Sequence, residues 1–186
     1  MTDNIHQPHA GAVMLCMGAE GTESVNFDEL FRRHSVYVAG IAYRILGRED
    51  EVDDVVQDVF SKALAGIGKL RDIQSVKSWL SVISVRCASR RLRRRKARRF
   101  IGLEDDYDYG DVVFEGATQE HAVLLGNVYA ILDGLPVRER IAWSLRYIEE
   151  ESLEEVARLC SCSLATAKRR IFAAHQAVTR GLSDEQ

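Results

Sequence analysis

Ser152-Leu153-Glu154-Glu155-Val156-Ala157-Arg158-Leu159-Cys160-Ser161-Cys162-Ser163-Leu164-Ala165-Thr166-Ala167-Lys168-Arg169-Arg170-Ile171 is the stretch whose reading decides the fold. Ser152 followed by Glu155 forms a capping box: a hydroxyl for an orphan N–H, and a carboxylate three residues on. It opens a short helix carrying Val156, Ala157 and Leu159 inward. Leu159 to Cys162 make the turn, and Ser163 caps a second helix. That helix points Ala167, Ile171 and Ala174 inward and leaves Thr166, Lys168, Arg169 and Arg170 for the outer face. A short capped helix, a tight turn and a second helix with Lys and Arg near its start describe a helix-turn-helix. The same residues also suit a structural helical hairpin with ordinary surface basics, so the rest of the chain has to decide.

Working outward, apolar residues keep a helical period and strand-like alternation never persists. No proline interrupts the chain between Pro8 and Pro136. The spacing predicts a helix from about Phe27 to Leu46, capped by Asn26 and stopped at Gly47. Its apolar face is Phe27, Leu30, Phe31, Val38, Ile41, Ala42 and Ile45. A second runs from about Glu51 to Leu64, with Val52, Val55, Val56, Val59, Phe60, Ala63 and Leu64 on one face. Asp53, Asp54, Gln57 and Asp58 form a polar stripe on the other. A third starts at Ser75 and runs through Trp79, Leu80, Ile83 and Leu92 into a basic run. Thr118 caps a fourth, with Val123, Leu124, Val128, Ile131 and Leu132 on its apolar face. After Leu135-Pro136 a fifth carries Ile141, Ala142, Leu145 and Tyr147. The expected class is all-α: two small helical domains joined by a flexible acidic linker, the C-terminal one holding the helix-turn-helix. The expected boundaries are a flexible extension over 1–23, a first domain over 24–100, the linker over 101–119 and a second domain over 120–182.

Charge is distributed in blocks. The whole chain of 186 residues carries only −3. Residues 86–103 hold Arg86, Arg90, Arg91, Arg93, Arg94, Arg95, Lys96, Arg98 and Arg99 without an acid, a balance of +9. Residues 104–120 hold seven acids without a base. Guanidinium forks match phosphate oxygens, and a block of this size repels itself unless a polyanion is near, so nucleic acid is the expected partner. The acidic segment is expected to fold back and mask the arginines in the free protein.

Other classes fall away on composition and motif. No apolar window is long enough to span a membrane, and residues 1–24 lack the basic start of a secretory signal. Four scattered cysteines do not make a disulfide scaffold, which fits a reducing cytoplasm. There is no phosphate loop, no Ser/His/Asp grouping and no H-E-x-x-H, so no enzyme, catalytic residue, cofactor or small-molecule substrate is expected. His34, His121 and His175 fall on separate helices, and Cys160-Ser161-Cys162 lacks zinc-knuckle spacing, so no metal site is expected either.

With both halves in view, the chain resembles the sigma-70 family of bacterial transcription initiation factors, in its extracytoplasmic-function group. Phe27-Asp28-Glu29-Leu30-Phe31 and Tyr43-Arg44-Ile45-Leu46-Gly47 look like the family's opening helix. Val52-Asp53-Asp54-Val55-Val56-Gln57-Asp58-Val59-Phe60 looks like its most distinctive stretch, and Trp79-Leu80 leading into arginines resembles its promoter-melting region. Leu135-Pro136 through Arg140, Leu145-Arg146-Tyr147 and Cys162 to Arg170 match its C-terminal domain. Two departures stand out: Arg86, where many members have asparagine, and Ser161, where glycine is common.

The resemblance implies binding to core RNA polymerase (β′ and β subunits) and to promoter DNA. Asp53, Asp54, Gln57 and Asp58 would face polymerase. Arg86, Arg90, Arg91, Arg93, Arg94 and Lys96 would meet −10 DNA, and Ser163, Thr166, Lys168, Arg169 and Arg170 would meet −35 DNA. An anti-sigma protein is a common further partner in this group, although no residue here establishes one. The rival readings are a stand-alone helix-turn-helix regulator with a sensing or dimerising first domain, and a helical adaptor. The polar stripe on the second helix and the basic third helix weigh against both.

Overall fold

A computed structural model describes residues 27–69, 75–103, 107–109 and 118–184. Among these residues there is no strand, and the helices are α1 (Phe27–Leu46), α2 (Val52–Gly66), α3 (Val76–Phe100), α4 (Gln119–Gly134), α5 (Val137–Tyr147), α6 (Leu153–Leu159) and α7 (Leu164–Asp184). A 3-10 turn, Ile67–Lys69, follows α2. The extension, the Asn26 cap and Glu104, Asp105, Asp106 and Asp111 of the acidic segment lie outside the described residues.

α1, α2 and α3 pack on one another through the faces that the helical period marks. Val38, Ile41, Ala42 and Ile45 of α1 meet Val55, Val59 and Phe60 of α2 and Leu80, Ile83, Ala88 and Leu92 of α3. Trp79 is half-buried and packs against this cluster. Leu64, expected on the inner face, is instead exposed, because the α1–α3 packing closes at Ala63. α1 stops where Gly47 turns left-handed (φ 63°) and its N–H caps the Tyr43 carbonyl at 2.7 Å. A side chain there would run into the Tyr129 ring, so glycine serves both the turn and the packing.

α4 to α7 form the second set, with α5 and α7 in the most extensive contact. The apolar face of α4 is rotated from the expected one. Val123 and Leu124 are exposed, whereas Val128, Tyr129 and Leu132 are buried against Trp143, Ala174 and Val178. Tyr129 is the residue the apolar count missed; its phenol donates to the Arg44 carbonyl at 2.7 Å. Pro136 stands at the N-cap of α5, one residue before the first turn. Tyr147 of α5 is exposed and stacks on His175 with ring centres 5.0 Å apart.

The two helix sets touch. Buried residues of α5, α6 and α7 (Ile141, Leu145, Val156, Leu159, Ile171) are continuous with the α1–α3 core. This seam places the basic helix beside the helix-turn-helix.

Candidate nucleic-acid interface

The helix-turn-helix is built by its caps. Ser152 accepts from the Glu155 N–H at 3.1 Å, and Ser163 accepts from the Thr166 N–H at 3.2 Å. Glu155 does not reach back to Ser152; its carboxylate takes both guanidinium arms of Arg158. Between the helices the N–H of Cys162 bonds the Ala157 carbonyl and that of Ser161 bonds the Arg158 carbonyl, the two bonds of a Schellman turn. That turn needs a left-handed residue, and Ser161 supplies it at φ 50°. The turn is therefore not strain-free: a non-glycine residue in this region costs roughly 1 kcal/mol. Cys160 is half-buried and packs against the core, and desolvation, with Cys162 nearby, pushes its thiol up to about 11, so it packs as a protonated side chain. Lys168 and Arg169 are exposed on the first turns of α7 and Arg170 is half-buried. The hydroxyls of Ser163 and Thr166 are 2.9 Å apart and engaged with one another at the cap.

The basic run divides by helix face. Leu92 lies on the buried stripe of α3, and Arg95, one turn on, continues it at 3% exposure. Arg91 pairs with Glu51 at 3.1 Å and with Asp54 at 3.0 Å. Arg95 pairs with Glu51 at 3.3 Å and with Asp133 at 3.2 Å. Arg99 also pairs with Asp133. Lys96 donates to the Leu135 carbonyl at 3.2 Å, closing the C-terminal end of α4. Arg86 reaches the Ser161 hydroxyl at 3.5 Å, so the two departures from the family pattern meet across the seam. Arg90, Arg93 and Arg94 are exposed and have no carboxylate partner among the described residues. Of the six sequence-predicted groups on this helix, Arg91, Lys96 and Arg86 are thus occupied in this arrangement and Arg90, Arg93 and Arg94 are open.

Asp133 is the hub of the seam and was not anticipated. Its carboxylate takes Arg95 and Arg99 from α3 and Arg140 from α5, the last at 2.7 Å. Burial pushes this carboxyl up, but Arg95, Arg140 and Arg99 outweigh it and hold Asp133 below the ordinary carboxylate value. Arg140, almost fully buried, also donates to the Ile45 and Leu46 carbonyls at the end of α1, at 3.3 and 2.7 Å. Arg44 pairs with Glu149 across the same seam. One sequence signal was available: Leu92, Arg95 and Arg99 keep the inward period of α3, so these arginines had to meet acids. Which acid is a tertiary fact.

On α2, Asp53, Asp54, Gln57 and Asp58 are all exposed on one face, as expected. Asp54 is tied to Arg91 and Asp58 lies 3.7 Å from Lys62, leaving Asp53 and Gln57 as its freest members. Within the acidic segment, the described residues Tyr107 and Tyr109 dock on the seam. Arg48 sits 4.0 Å over the Tyr107 ring, and buried Tyr109 stacks on Tyr129 at 5.8 Å. Among the described residues, Glu51, Asp54 and Asp133 are carboxylates that pair with the inner arginines Arg91, Arg95 and Arg99.

Residues 30–99 match the Sigma-70 region 2 family and residues 125–178 match Sigma-70 region 4. The chain is 33% identical over 154 residues to the ECF RNA polymerase sigma factor SigM of Mycobacterium tuberculosis, covering 83% of this chain and 76% of that one. It is 32% identical over 161 residues to the ECF RNA polymerase sigma-E factor of Haemophilus influenzae, covering 82% and 85%. Among solved structures it superposes on the sigma factor RpoE of Bartonella quintana, in complex with the anti-sigma factor NepR, with a TM-score of 0.60 at 22% identity, over 86% of this chain and 98% of that one. It also matches CnrH in complex with the cytosolic domain of CnrY, TM-score 0.56 at 23% identity, over 86% and 89%. Two matched regions in this order do not favour the stand-alone regulator. The chain belongs to the extracytoplasmic-function group of the sigma-70 family and is a sigma factor that directs RNA polymerase to promoters.

Proposed function

We propose that the exposed stripe of α2, centred on Asp53 and Gln57, binds core RNA polymerase. Arg90, Arg93 and Arg94 of α3 hold −10 DNA, and Lys168 and Arg169 of α7 read −35 DNA. The observation that carries this division of labour is the sorting of the arginines by face. Three are spent on internal carboxylates, and Arg90, Arg93 and Arg94 stay open on the surface. Exposed cations without internal partners are the ones able to exchange counterions for phosphates. The chain works by binding rather than by catalysis, in the cytoplasm where polymerase and promoter meet. Both solved relatives were captured with another protein, and the proposal carries an anti-sigma partner over to this chain.

Multi-round transcription with purified core polymerase on a promoter library tests it. Asp53→Ala with Gln57→Ala should weaken pull-down of core while circular dichroism stays unchanged. Unaltered pull-down removes the stripe from the interface.

A further inference from the structure

Four arginines from three helices line one cleft that the seam itself creates. Arg93 of α3, Arg138 of α5 and Arg169 and Arg170 of α7 line an open concavity of about 580 Å³, with Glu139 at its edge and Pro136, Val137 and Ala173 as its apolar wall. None of the four arginines has a carboxylate partner among the described residues, whereas Arg91, Arg95, Arg99 and Arg140 nearby are all paired. Like charges drawn into one concavity repel one another, and closing the two helix sets brings Arg93 up to the other three. An anion seated between them removes that repulsion and gains charge-assisted, bidentate bonds. The volume falls in the range of small-molecule sites.

We propose that this cleft binds a small oligophosphate anion, which clamps α3 against α5 and α7. Several phosphates in a row match several forks in a row, and the source is either inorganic polyphosphate or a nucleoside polyphosphate. For a nucleoside, the Pro136–Val137–Ala173 wall offers a face for the base and Glu139 an acceptor for a ring N–H. A ligand that binds only the closed arrangement stabilises it by mass action. Arg93 and Arg169 then cannot serve promoter DNA at the same time. That competition rests on the function proposed above; the binding itself does not.

Calorimetric titration of the full chain in magnesium-free buffer tests the site, with inorganic tripolyphosphate and GTP as probes. A saturable 1:1 isotherm is expected. Arg138→Ala should weaken it by about tenfold or more, the loss of a charge-assisted contact. Arg180→Ala, on the same helix as Arg169 but outside the cleft, should leave it unchanged. Tighter binding of GTP assigns the site to nucleoside polyphosphates, and equal or weaker binding assigns it to the inorganic chain. Equal weakening by Arg138→Ala and Arg180→Ala, or an isotherm that never saturates, marks general charge attraction and overturns the site. These measurements use neither polymerase nor promoter, so their failure is separate from failure of the sigma-factor assignment.

Discussion

Asp133 shows what one residue does when three cations converge on it. Removing the carboxylate while keeping its volume takes away the acid shared by Arg95, Arg99 and Arg140, and leaves Glu51 as the carboxylate beside Arg95. Breaking one side of a buried pair costs about 3–5 kcal/mol. Asp133→Asn should therefore lower the unfolding free energy read from urea melts by an amount in that range, while exposed Asp53→Asn stays within about 0.5 kcal/mol of the parent. The pH dependence has a definite sign. The Asp133 carboxyl is held below its ordinary value in the folded chain. Its stabilisation is thus complete above the unfolded carboxylate pKa of about 3.9, and is lost as pH falls through the depressed folded value. Acid titration should show the parent losing stability over that window, with the Asn variant losing less. Parallel acid profiles would mean that the Asp133 ion cluster does not carry this seam.

At the scale of the element, α3 is two helices in one. Its inner face carries paired arginines, and its outer face carries Arg90, Arg93 and Arg94. Arg93→Ala should leave stability unchanged and reduce the slope of log affinity against log salt by about 1, the signature of one phosphate contact. Arg95→Ala should do the reverse, destabilising the fold with little change in slope. Identical behaviour of the two variants would refute the sorting by face. On α7, a base-reading Lys168 or Arg169 should cost about 1–3 kcal/mol on truncation to alanine and relax preference at one −35 position. A phosphate contact would weaken all sequences alike. These helices were largely legible beforehand. α1 begins and ends where its period and Gly47 place it, and the Thr118, Ser152 and Ser163 caps form as hydrogen bonds. Ser75 occupies its N-cap position without a side-chain cap bond. Val123 and Leu124 fall outside the buried face, and Tyr129 inside it, because a period names a face without saying what lies across from it. The acids of the seam were illegible for the same reason, since Arg95 and Asp133 meet only after two distant helices pack.

For the whole molecule, the closed seam cannot coexist with the two promoter contacts proposed above. The −10 and −35 elements are centred about 25 base pairs apart, roughly 85 Å at 3.4 Å per pair. A compact chain of 186 residues has a radius of gyration of only about 16 Å. With α3 and α7 in one cleft, the chain reaches one element or the other. Spanning both requires breaking Arg95–Asp133, Arg99–Asp133 and Arg44–Glu149, and lifting Tyr129 off Gly47. If only the open form is competent, observed affinity falls by the fraction that is open, and loosening the seam should raise it. Labels on exposed Ser61 of α2 and Thr179 of α7 would report the change by distance measurement. The free protein should show one short distance, and the polymerase–promoter complex a distance longer by several tens of ångströms. Asp133→Asn should move part of the free population toward the long distance and tighten polymerase binding, even while it lowers the urea midpoint. A distance that stays short in the complete complex would mean that the seam survives recognition, and that the two DNA elements are not contacted together by one chain.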